Sequence, residues 1–201
     1  MPKNSEEKAK KKEIIKNYNL TSEFYDRRYS DIQKQKFSLI LKDLILNQKI
    51  LLDTGCGTGL LLKNVLEWRQ QRESFRFHYV GVDISINMLN NFQRKLLKNT
   101  NLRNVNINLV LSDIEHLPIR NNIFDLIFSI TALQNLPDIN KGLKETIRVA
   151  KTGAFVNLSI LKKKLNLKKL IGKFKSLMIN TKIINIESIE DLILIGEILK
   201  E

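Results

Sequence analysis

The chain has 201 residues and a formal net charge of +13, and 43% of its residues are hydrophobic. This size and composition predict one globular domain with a sizeable apolar core. No stretch comes near the roughly 20 uncharged apolar residues that cross a bilayer, and no apolar signal core follows the lysine-rich beginning, so we expect a cytoplasmic protein. The lone cysteine, Cys56, gives no disulfide framework and no zinc-site spacing, so we expect no metal.

The front of the chain divides into two parts. Residues 1–18 carry many charges with little apolar periodicity, so we expect a charged, flexible arm, followed by a single domain over residues 19–201. An aromatic cluster with Tyr25 and Tyr29 then precedes a first core helix, expected over residues 31–47. In the simplest interpretation, the two tyrosines pack this helix against the domain.

A glycine-rich segment follows the first predicted strand, residues 49–54, in which Asp53 is the next-to-last residue. Three glycines stand at alternate positions: Gly55, Gly57 and Gly59. Glycines let the backbone turn tightly and approach a ligand without a Cβ, which predicts a nucleotide-cofactor loop before a helix over residues 59–71. A tight turn without a ligand is the alternative. Leu60 stands where a dinucleotide fingerprint needs a small residue, which argues against a nicotinamide-dependent oxidoreductase.

Polar residues also mark the ends of the next three predicted strands, residues 78–84, 104–112 and 124–130. Asp83 closes the second strand, where a carboxylate can bind the two hydroxyls of a ribose. Asp113 follows the third strand, and Ser129 lies at the end of the fourth. Taken singly, Asp83 could begin a helix and Asp113 could belong to a turn. Open α/β sheets bind ligands at these strand ends, so together they predict one site.

The rest of the chain continues the alternation of strands and helices that is typical of a parallel sheet covered on both faces. The remaining expected elements are helices over residues 85–99, 138–150 and 163–178 and a strand over 153–160. Two apolar-rich runs, residues 182–188 and 191–199, close the chain with a short link between them. A short link permits only antiparallel pairing, so we expect a C-terminal antiparallel hairpin.

Taken together, Asp53 to Gly59, Asp83, Asp113 and the fourth strand resemble the motifs of class I S-adenosylmethionine-dependent methyltransferases. The resemblance covers about residues 25–201 and implies an α/β, Rossmann-like fold. Its mostly parallel sheet would have seven strands in the order 3-2-1-4-5-7-6, with helices on both faces. The segment after the fourth strand lacks the Asn/Asp-Pro-Pro-Tyr/Phe motif of amino methyltransferases. Ending in Leu-Pro-Asp, it looks more like the methyltransferase type 11, or quinone-biosynthesis, branch.

The resemblance also implies a binding site for the cofactor S-adenosyl-L-methionine. Asp113 would accept a hydrogen bond from the adenine amino group, and Tyr25 would cover the methionine end and exclude water. The implied cofactor-binding residues are Asp53, Gly55, Cys56, Gly57, Gly59, Asp83, Ile84, Asp113, Ile114, Ser129 and Tyr25. The acceptor-side candidates are Thr131, Gln134 and Asn135. Side-chain amides orient an acceptor but are not strong bases, and Gln134 and Asn135 could instead form a turn before the next helix, so no catalytic base is named.

A lysine-rich segment accounts for about half of the excess charge. Lys162 to Lys175 holds seven lysines and no acidic residue, with an apolar stripe at helical spacing that should face the sheet. The outward lysines could contact RNA phosphates, an anionic membrane or only water. Lysine outnumbers arginine, as expected from codon bias in a genome rich in A and T, whereas proteins that read nucleic acids commonly use arginine. The candidate RNA contacts are Lys162, Lys163, Lys164, Lys168, Lys169 and Lys173.

The sequence thus predicts an enzyme that moves a methyl group by in-line displacement. For its acceptor we place RNA, as tRNA or rRNA, ahead of a small molecule or a protein side chain. The runner-up is a scaffold subunit that binds S-adenosylmethionine without catalysis. An activating protein partner is a further prediction.

Overall fold

The computed structural model describes residues 2–42, 49–70, 76–98, 105–164 and 166–199. The strands are β1 (Lys49–Thr54), β2 (Phe77–Asp83), β3 (Val105–Leu111), β4 (Phe124–Ile130), β5 (Ala150–Leu161), β6 (Met178–Ile184) and β7 (Asp191–Ile198). The helices are α1 (Pro2–Thr21), α2 (Tyr25–Leu41), α3 (Leu60–Gln70), α4 (Ile86–Leu97), α5 (Ile139–Val149) and α6 (Leu167–Leu177). Short 3₁₀ turns follow β4 and β5, at Leu133–Asn135 and Lys162–Lys164.

One sheet contains all seven strands in the order β3-β2-β1-β4-β5-β7-β6. Neighbours from β3 to β5 pair in parallel, and β7 runs antiparallel to both β5 and β6. The predicted strand order and C-terminal hairpin are therefore confirmed. Because β1 to β5 run the same way, their carboxyl ends meet at one edge of the sheet, which is where open α/β sheets bind ligands.

Two apolar cores lie on opposite faces of the sheet. Successive residues of a strand point to opposite faces, and in β1 Leu51 joins one core while Leu52 joins the other. The core with Leu51 takes buried residues from α2, α3 and α4, and the core with Leu52 takes them from α5 and α6. Both faces of the central strands are thus covered, which holds the strand ends in a fixed arrangement.

Several element boundaries differ from the sequence expectations. Helix α2 begins at Tyr25 rather than residue 31, so the aromatic cluster is its first turn, and residues 43–47 of that expected helix lie outside the described residues. Strand β5 begins at Ala150, directly after α5. Helix α6 begins later than expected because Asn166 caps it, its side chain accepting from the Lys169 N–H at 3.1 Å. Strand β6 begins at Met178, four residues before the expected position.

The largest difference concerns the expected flexible arm. Pro2–Thr21 form α1, which runs through residue 18 without a break and lies against the carboxyl edge of the sheet. Polar contacts hold it: the Lys10 ammonium donates to the Leu136 carbonyl at 2.9 Å, and Lys141 lies 3.0 Å from Glu7. A helix that binds the domain through charged side chains cannot be predicted from apolar periodicity. The division into residues 1–18 and 19–201 stays a prediction.

Among the described residues, no helix combines the length and the apolar character needed to cross a membrane.

Candidate functional site

A cavity opens at the carboxyl edge of the sheet. It has about 640 Å³ of empty space, part of it continuous with solvent. The strand ends contribute Gly55, Gly57, Asp83, Ile84, Asp113, Ile114 and Thr131 to its lining, and the front helices contribute Lys11, Ile14, Tyr18 and Tyr25. The loops after β1, β2, β3 and β4 therefore converge on one space.

The three loop glycines have backbone angles that favour glycine, with φ of +77° at Gly55, +54° at Gly57 and +84° at Gly59. A Cβ on Gly59 would lie 2.3 Å from the Phe92 ring, and one on Gly55 would lie 2.5 Å from Ala132 Cβ. A Cβ on Gly57 would meet no atom within 4 Å. Gly55 and Gly59 are thus needed for close packing of the protein itself, whereas Gly57 leaves its space to the cavity.

The Asp83 carboxylate is held by the glycine loop and by the start of α4. Its Oδ2 accepts from the Gly57 N–H and its Oδ1 accepts from the Ser85 N–H, both at 2.8 Å. The residue is 8% exposed, and burial raises its pKa although the backbone hydrogen bonds oppose the rise. A carboxylate accepts about four hydrogen bonds, so Asp83 keeps capacity for hydroxyl donors in the cavity.

Asp53 lies deeper, at the end of β1. The Tyr79 hydroxyl donates to its Oδ2 at 2.5 Å, and burial of the side chain raises its pKa to about 7, with the nearby Asp83 adding to the rise. Asp53 borders an adjoining cavity of about 320 Å³ of empty space, which shares Tyr25, Gly55 and Gly57 with the larger one. The two cavities thus lie next to each other between the strand ends and α2.

At the other end, Asp113 is paired with α1. The Lys11 ammonium lies 2.5 Å from a carboxylate oxygen of Asp113 and 2.5 Å from one of Glu115. Burial would raise the pKa of Asp113, but the Lys11 ammonium and the Glu115 N–H together hold it below its usual value. Sequence reasoning missed Lys11 because it lies in the segment expected to be a flexible arm.

Asp113, Glu115 and His116 bring three possible metal-ligand atoms within 4.8 Å of one another. The Lys11 ammonium already contacts two of these groups, so the cluster has a cation of its own. The absence of a metal stays a prediction.

Tyrosine rings cover the middle of the cavity. The Tyr25 ring lies 4.7 Å from the Tyr29 ring and 6.4 Å from the Tyr18 ring. Tyr18 and Tyr25 line the cavity, and burial raises the pKa of Tyr18 to about 12, so its hydroxyl stays protonated. Tyr18 also lies in the segment expected to be flexible, and sequence reasoning did not name it.

The structure brings most of the predicted cofactor residues to the two cavities. The larger cavity is lined by Tyr25, Gly55, Gly57, Asp83, Ile84, Asp113 and Ile114, and the adjoining one also by Asp53 and Cys56. Gly59 and Ser129 line neither cavity: Gly59 packs on Phe92, and Ser129 is buried with its hydroxyl 3.5 Å from the Thr54 carbonyl. Burial raises the pKa of the Cys56 thiol well above its usual value, which disfavours the thiolate form that a nucleophile needs.

The acceptor-side candidates lie together after β4. Thr131 has φ +57° and borders the cavity, as does Asn135. The Gln134 and Asn135 amides donate to the Thr131 carbonyl at 2.7 and 3.2 Å, and Asn135 also donates to the Tyr18 hydroxyl at 2.8 Å. Both amides therefore support the 3₁₀ turn, and Gln134 does not line the cavity.

A buried ionic network under Thr131 was not predicted from the sequence. The Lys36 ammonium, on α2, donates to Thr131 Oγ1 at 2.8 Å and lies 2.9 Å from Asp191 Oδ2. The Thr131 and Ser159 hydroxyls donate to the same Asp191 oxygen at 2.9 and 2.5 Å. Because its proton points to Asp191, the Thr131 hydroxyl can offer only a lone pair to other partners.

These features fit the cofactor that the sequence resemblance implies. Gly57 leaves room for close approach of a ligand, Asp83 has acceptor capacity for ribose hydroxyls, and Asp113 presents a carboxylate at the third strand. Buried Asp53 lies where a positively charged group would be stabilised. The two adjoining cavities thus offer acidic residues to a nucleoside with a positively charged side chain.

Comparison with known proteins agrees with the geometry. A family profile described as "Methyltransferase domain" matches residues 52–158. A malonyl-[acyl-carrier protein] O-methyltransferase of Buchnera aphidicola is 34% identical over 152 residues, which are 75% of this chain and 55% of the relative. A ubiquinone/menaquinone biosynthesis C-methyltransferase of Rickettsia prowazekii is 31% identical over 164 residues, which are 81% of this chain and 64% of the relative. The chain thus spans less than two thirds of either relative.

Solved structures show the same fold. The crystal structure of an S-adenosylmethionine-dependent methyltransferase from Aquifex aeolicus superposes with a TM-score of 0.66 at 19% identity, covering 90% of this chain and 98% of that one. Motif order, strand order, cavity and profile all agree, and the chain therefore belongs to the class I S-adenosylmethionine-dependent methyltransferases, whose cofactor is S-adenosyl-L-methionine.

Proposed function

We propose that this chain is a methyltransferase that transfers the methyl group of S-adenosylmethionine to a small organic acceptor. The observation that carries the proposal is the open position of Gly57 beside the Asp83 carboxylate, which accepts from the Gly57 N–H at 2.8 Å. This arrangement offers a ribose two acceptor oxygens next to a backbone that a ligand can touch. The Asp83 carboxylate also ties the glycine loop to the start of α4, whereas the described residues leave the space beside Gly57 unfilled.

The proposal assigns a part of the cofactor to each strand end. Asp113 and Ile114 would hold the adenine, and Asp83 would bind the ribose hydroxyls. The loop at Gly55, with Asp53 behind it, would hold the methionine end under Tyr25. When adenine binds, the Lys11 ammonium would have to share the Asp113 carboxylate with it or move away from that carboxylate.

Methyl transfer depends more on the position of the acceptor atom than on a catalytic base. Bound S-adenosylmethionine supplies a methyl group already activated by the sulfonium. The side chains near Thr131 would hold the acceptor's nucleophilic atom in line with that group, and the tyrosine cover would exclude water. As the new bond forms, the carbon–sulfur bond breaks and its electron pair returns to sulfur; a proton from an O–H or N–H acceptor leaves to solvent. Thr131 would accept a hydrogen bond from such an acceptor.

The choice of a small acceptor draws on the names of the two relatives, one an O-methyltransferase for malonyl-[acyl-carrier protein] and the other a C-methyltransferase of ubiquinone/menaquinone biosynthesis. RNA, placed first from the sequence, is the weaker proposal because neither relative's name mentions it. The lysines named as candidate RNA contacts differ in exposure and in hydrogen bonding. Lys163, Lys168 and Lys169 are exposed, whereas Lys162 donates to the Ile186 carbonyl and Lys173 to Asn140, and the Lys164 side chain lies outside the described residues. An activating partner and a cytoplasmic location stay predictions.

A matched pair of glycine variants tests cofactor binding. Gly57 and Gly153 both have positive φ, at +54° and +75°, and a Cβ on either would meet nothing within 4 Å. Each change to alanine should therefore cost similar stability, about 1 kcal/mol from backbone strain. Only Gly57→Ala should fill ligand space, and we expect it to weaken S-adenosylmethionine binding at least roughly tenfold by calorimetry.

Equal affinity in the two variants, or no binding by the unmodified protein at hundreds of micromolar, would contradict the proposal. Incubating labelled S-adenosylmethionine and the protein with separated metabolite, protein and RNA fractions would then identify the acceptor class. Label in RNA alone would overturn the small-molecule acceptor. Label in no fraction, together with cofactor binding, would favour the scaffold alternative.

A further inference from the structure

An amide oxygen without a hydrogen-bond donor lies beside the adjoining cavity. Gln33, on α2, is 5% exposed and lines this cavity together with Asp53, Gly55 and Tyr25. Its Oε1 is buried, and no described residue donates a hydrogen bond to it. A buried carbonyl left unpaired costs folding free energy, so an unpaired amide oxygen on a side chain that lines a cavity calls for a ligand that donates.

The charges around the adjoining cavity indicate which kind of donor it would take. No lysine, arginine or histidine is among the described residues that line it. Its wall includes the buried Asp53 carboxylate, and the Thr58 hydroxyl on the same wall already donates to Asp26. A space with a carboxylate, an unpaired amide oxygen and no lining cation favours a positively charged donor group over an anion.

Neighbouring contacts on α2 hold Gln33 in place. Lys36, one turn later, is 1% exposed and bound to Thr131 and Asp191, and Phe37 is buried in the core below the cavity. The helix therefore cannot shift easily to satisfy or expose the amide. The backbone that carries Gln33 is thus in place before a ligand binds, and only the side chain has to turn its buried oxygen toward the ligand, which limits the entropy cost of the contact.

We propose that Gln33 Oε1 accepts a hydrogen bond from the α-ammonium of the methionine part of S-adenosylmethionine. Gln33 is then a positioning residue, because it fixes the chain that carries the sulfonium and does not touch the transferred methyl. The inference rests on the proposed function and assigns to α2 a part of the cofactor site that the strand-end motifs do not include. It also separates the ends of the methionine chain: the ammonium faces Gln33 and Asp53, and the carboxylate points away from them.

Three ligands and two variants test this assignment by calorimetry, without any acceptor. The ligands are S-adenosylmethionine, its decarboxylated form, which keeps the ammonium, and 5′-methylthioadenosine, which lacks the whole amino-acid part. The variants are Gln33→Leu and the matched control Gln35→Leu, an exposed glutamine on the same helix. Because a hydrogen bond to a charged group contributes strongly to binding, we expect Gln33→Leu to weaken the binding of the first two ligands roughly 10-fold to 100-fold. The affinity for 5′-methylthioadenosine should change by less than about twofold in Gln33→Leu. Gln35→Leu should leave the affinity for all three ligands unchanged.

The outcomes separate the inference from the function on which it rests. If the unmodified protein binds S-adenosylmethionine but Gln33→Leu binds all three ligands equally weakly, Gln33 only shapes the cavity and the inference is overturned. If Gln33→Leu weakens S-adenosylmethionine but spares the decarboxylated form, the amide contacts the carboxylate instead, which also overturns it. Failure of the unmodified protein to bind any ligand would overturn the proposed function itself.

A second variant keeps the test valid if Gln33→Leu does not fold. Gln33→Glu keeps an acceptor oxygen of nearly the same shape and adds a negative charge. We expect it to bind S-adenosylmethionine and the decarboxylated form at least as well as the unmodified protein, with 5′-methylthioadenosine unchanged. Weaker binding of the two ammonium-bearing ligands to Gln33→Glu would contradict the inference.

Discussion

Asp53 shows how one buried residue could link cofactor binding to pH. It is 2% exposed, it accepts from the Tyr79 hydroxyl, and burial raises its pKa to about 7. Because the folded-state pKa lies above that of the unfolded chain, Asp53 contributes stability at low pH that is lost as the pH rises through about 7. A cation in the adjoining cavity would favour the ionised form and lower this pKa again.

We therefore predict that S-adenosylmethionine affinity rises between about pH 5.5 and pH 7.5, by roughly tenfold or more. Below pH 7 the free protein carries a proton on Asp53 that the positively charged ligand must displace. Calorimetry across this range should show the rise, and near pH 7 the apparent enthalpy should depend on the buffer because a proton is released. Asp53→Asn should flatten the profile. An equally steep profile in that variant would place the titrating group elsewhere.

At the scale of secondary-structure elements, α1 is attached differently from the rest of the fold. Its described links to the domain include the Lys11 contacts with Asp113 and Glu115, the Glu7–Lys141 pair and the hydrogen bond from Lys10 to the Leu136 carbonyl. Among the side chains of this helix that the structure describes, from residue 5 onward, exposure is high, and neither apolar core includes one of them as a buried residue. Charged contacts of this kind weaken as salt screens them, whereas apolar packing does not.

Amide hydrogen exchange should show this difference. Between about 0.05 and 0.5 M sodium chloride we expect protection of the α1 amides to fall several-fold, because α1 leaves the domain more often. The amides of β4, buried in the centre of the sheet, should keep their protection under the same conditions and serve as the internal reference. Salt-independent protection of α1 would mean that neutral hydrogen bonds, such as those of Tyr18 and Asn19, or apolar contacts hold this helix, and not charges.

Motifs at strand ends made the sheet and most of the site predictable. Asp53, Asp83 and Asp113 each follow or end an apolar run, and parallel strands bring such residues to one edge. Lys11, Gln33 and Lys36 were missed for one physical reason. Lys11 and Lys36 meet polar partners far away in the sequence, and Gln33 shares a cavity wall with residues far away in the sequence, and neither kind of proximity leaves a local periodicity. The helical position of α1 was missed for the same reason.

At the scale of the whole molecule, one buried ion pair connects the front of the chain to its end. Lys36 of α2 and Asp191 of β7 lie 2.9 Å apart, and both contact Thr131 at the end of β4. The pair thus joins the helix that carries Gln33, the acceptor side of the cavity and the C-terminal hairpin. Breaking such a pair leaves an uncompensated buried charge, which is far more costly than losing a surface pair.

A double-mutant cycle on this pair tests how strongly it couples these elements. Lys36→Met and Asp191→Asn should each lower the free energy of unfolding by about 3 kcal/mol, because each leaves the other group buried without its partner. The double variant should lose clearly less than the sum, with a coupling energy above about 1 kcal/mol in urea unfolding followed by circular dichroism.

The exposed pair Lys63 and Glu67, 3.8 Å apart on α3, provides the control cycle, with Lys63→Met and Glu67→Gln expected to couple by less than about 0.5 kcal/mol. Additive losses at Lys36 and Asp191 would mean that α2 and β7 are held by their separate apolar contacts, and that the ion pair does not join them.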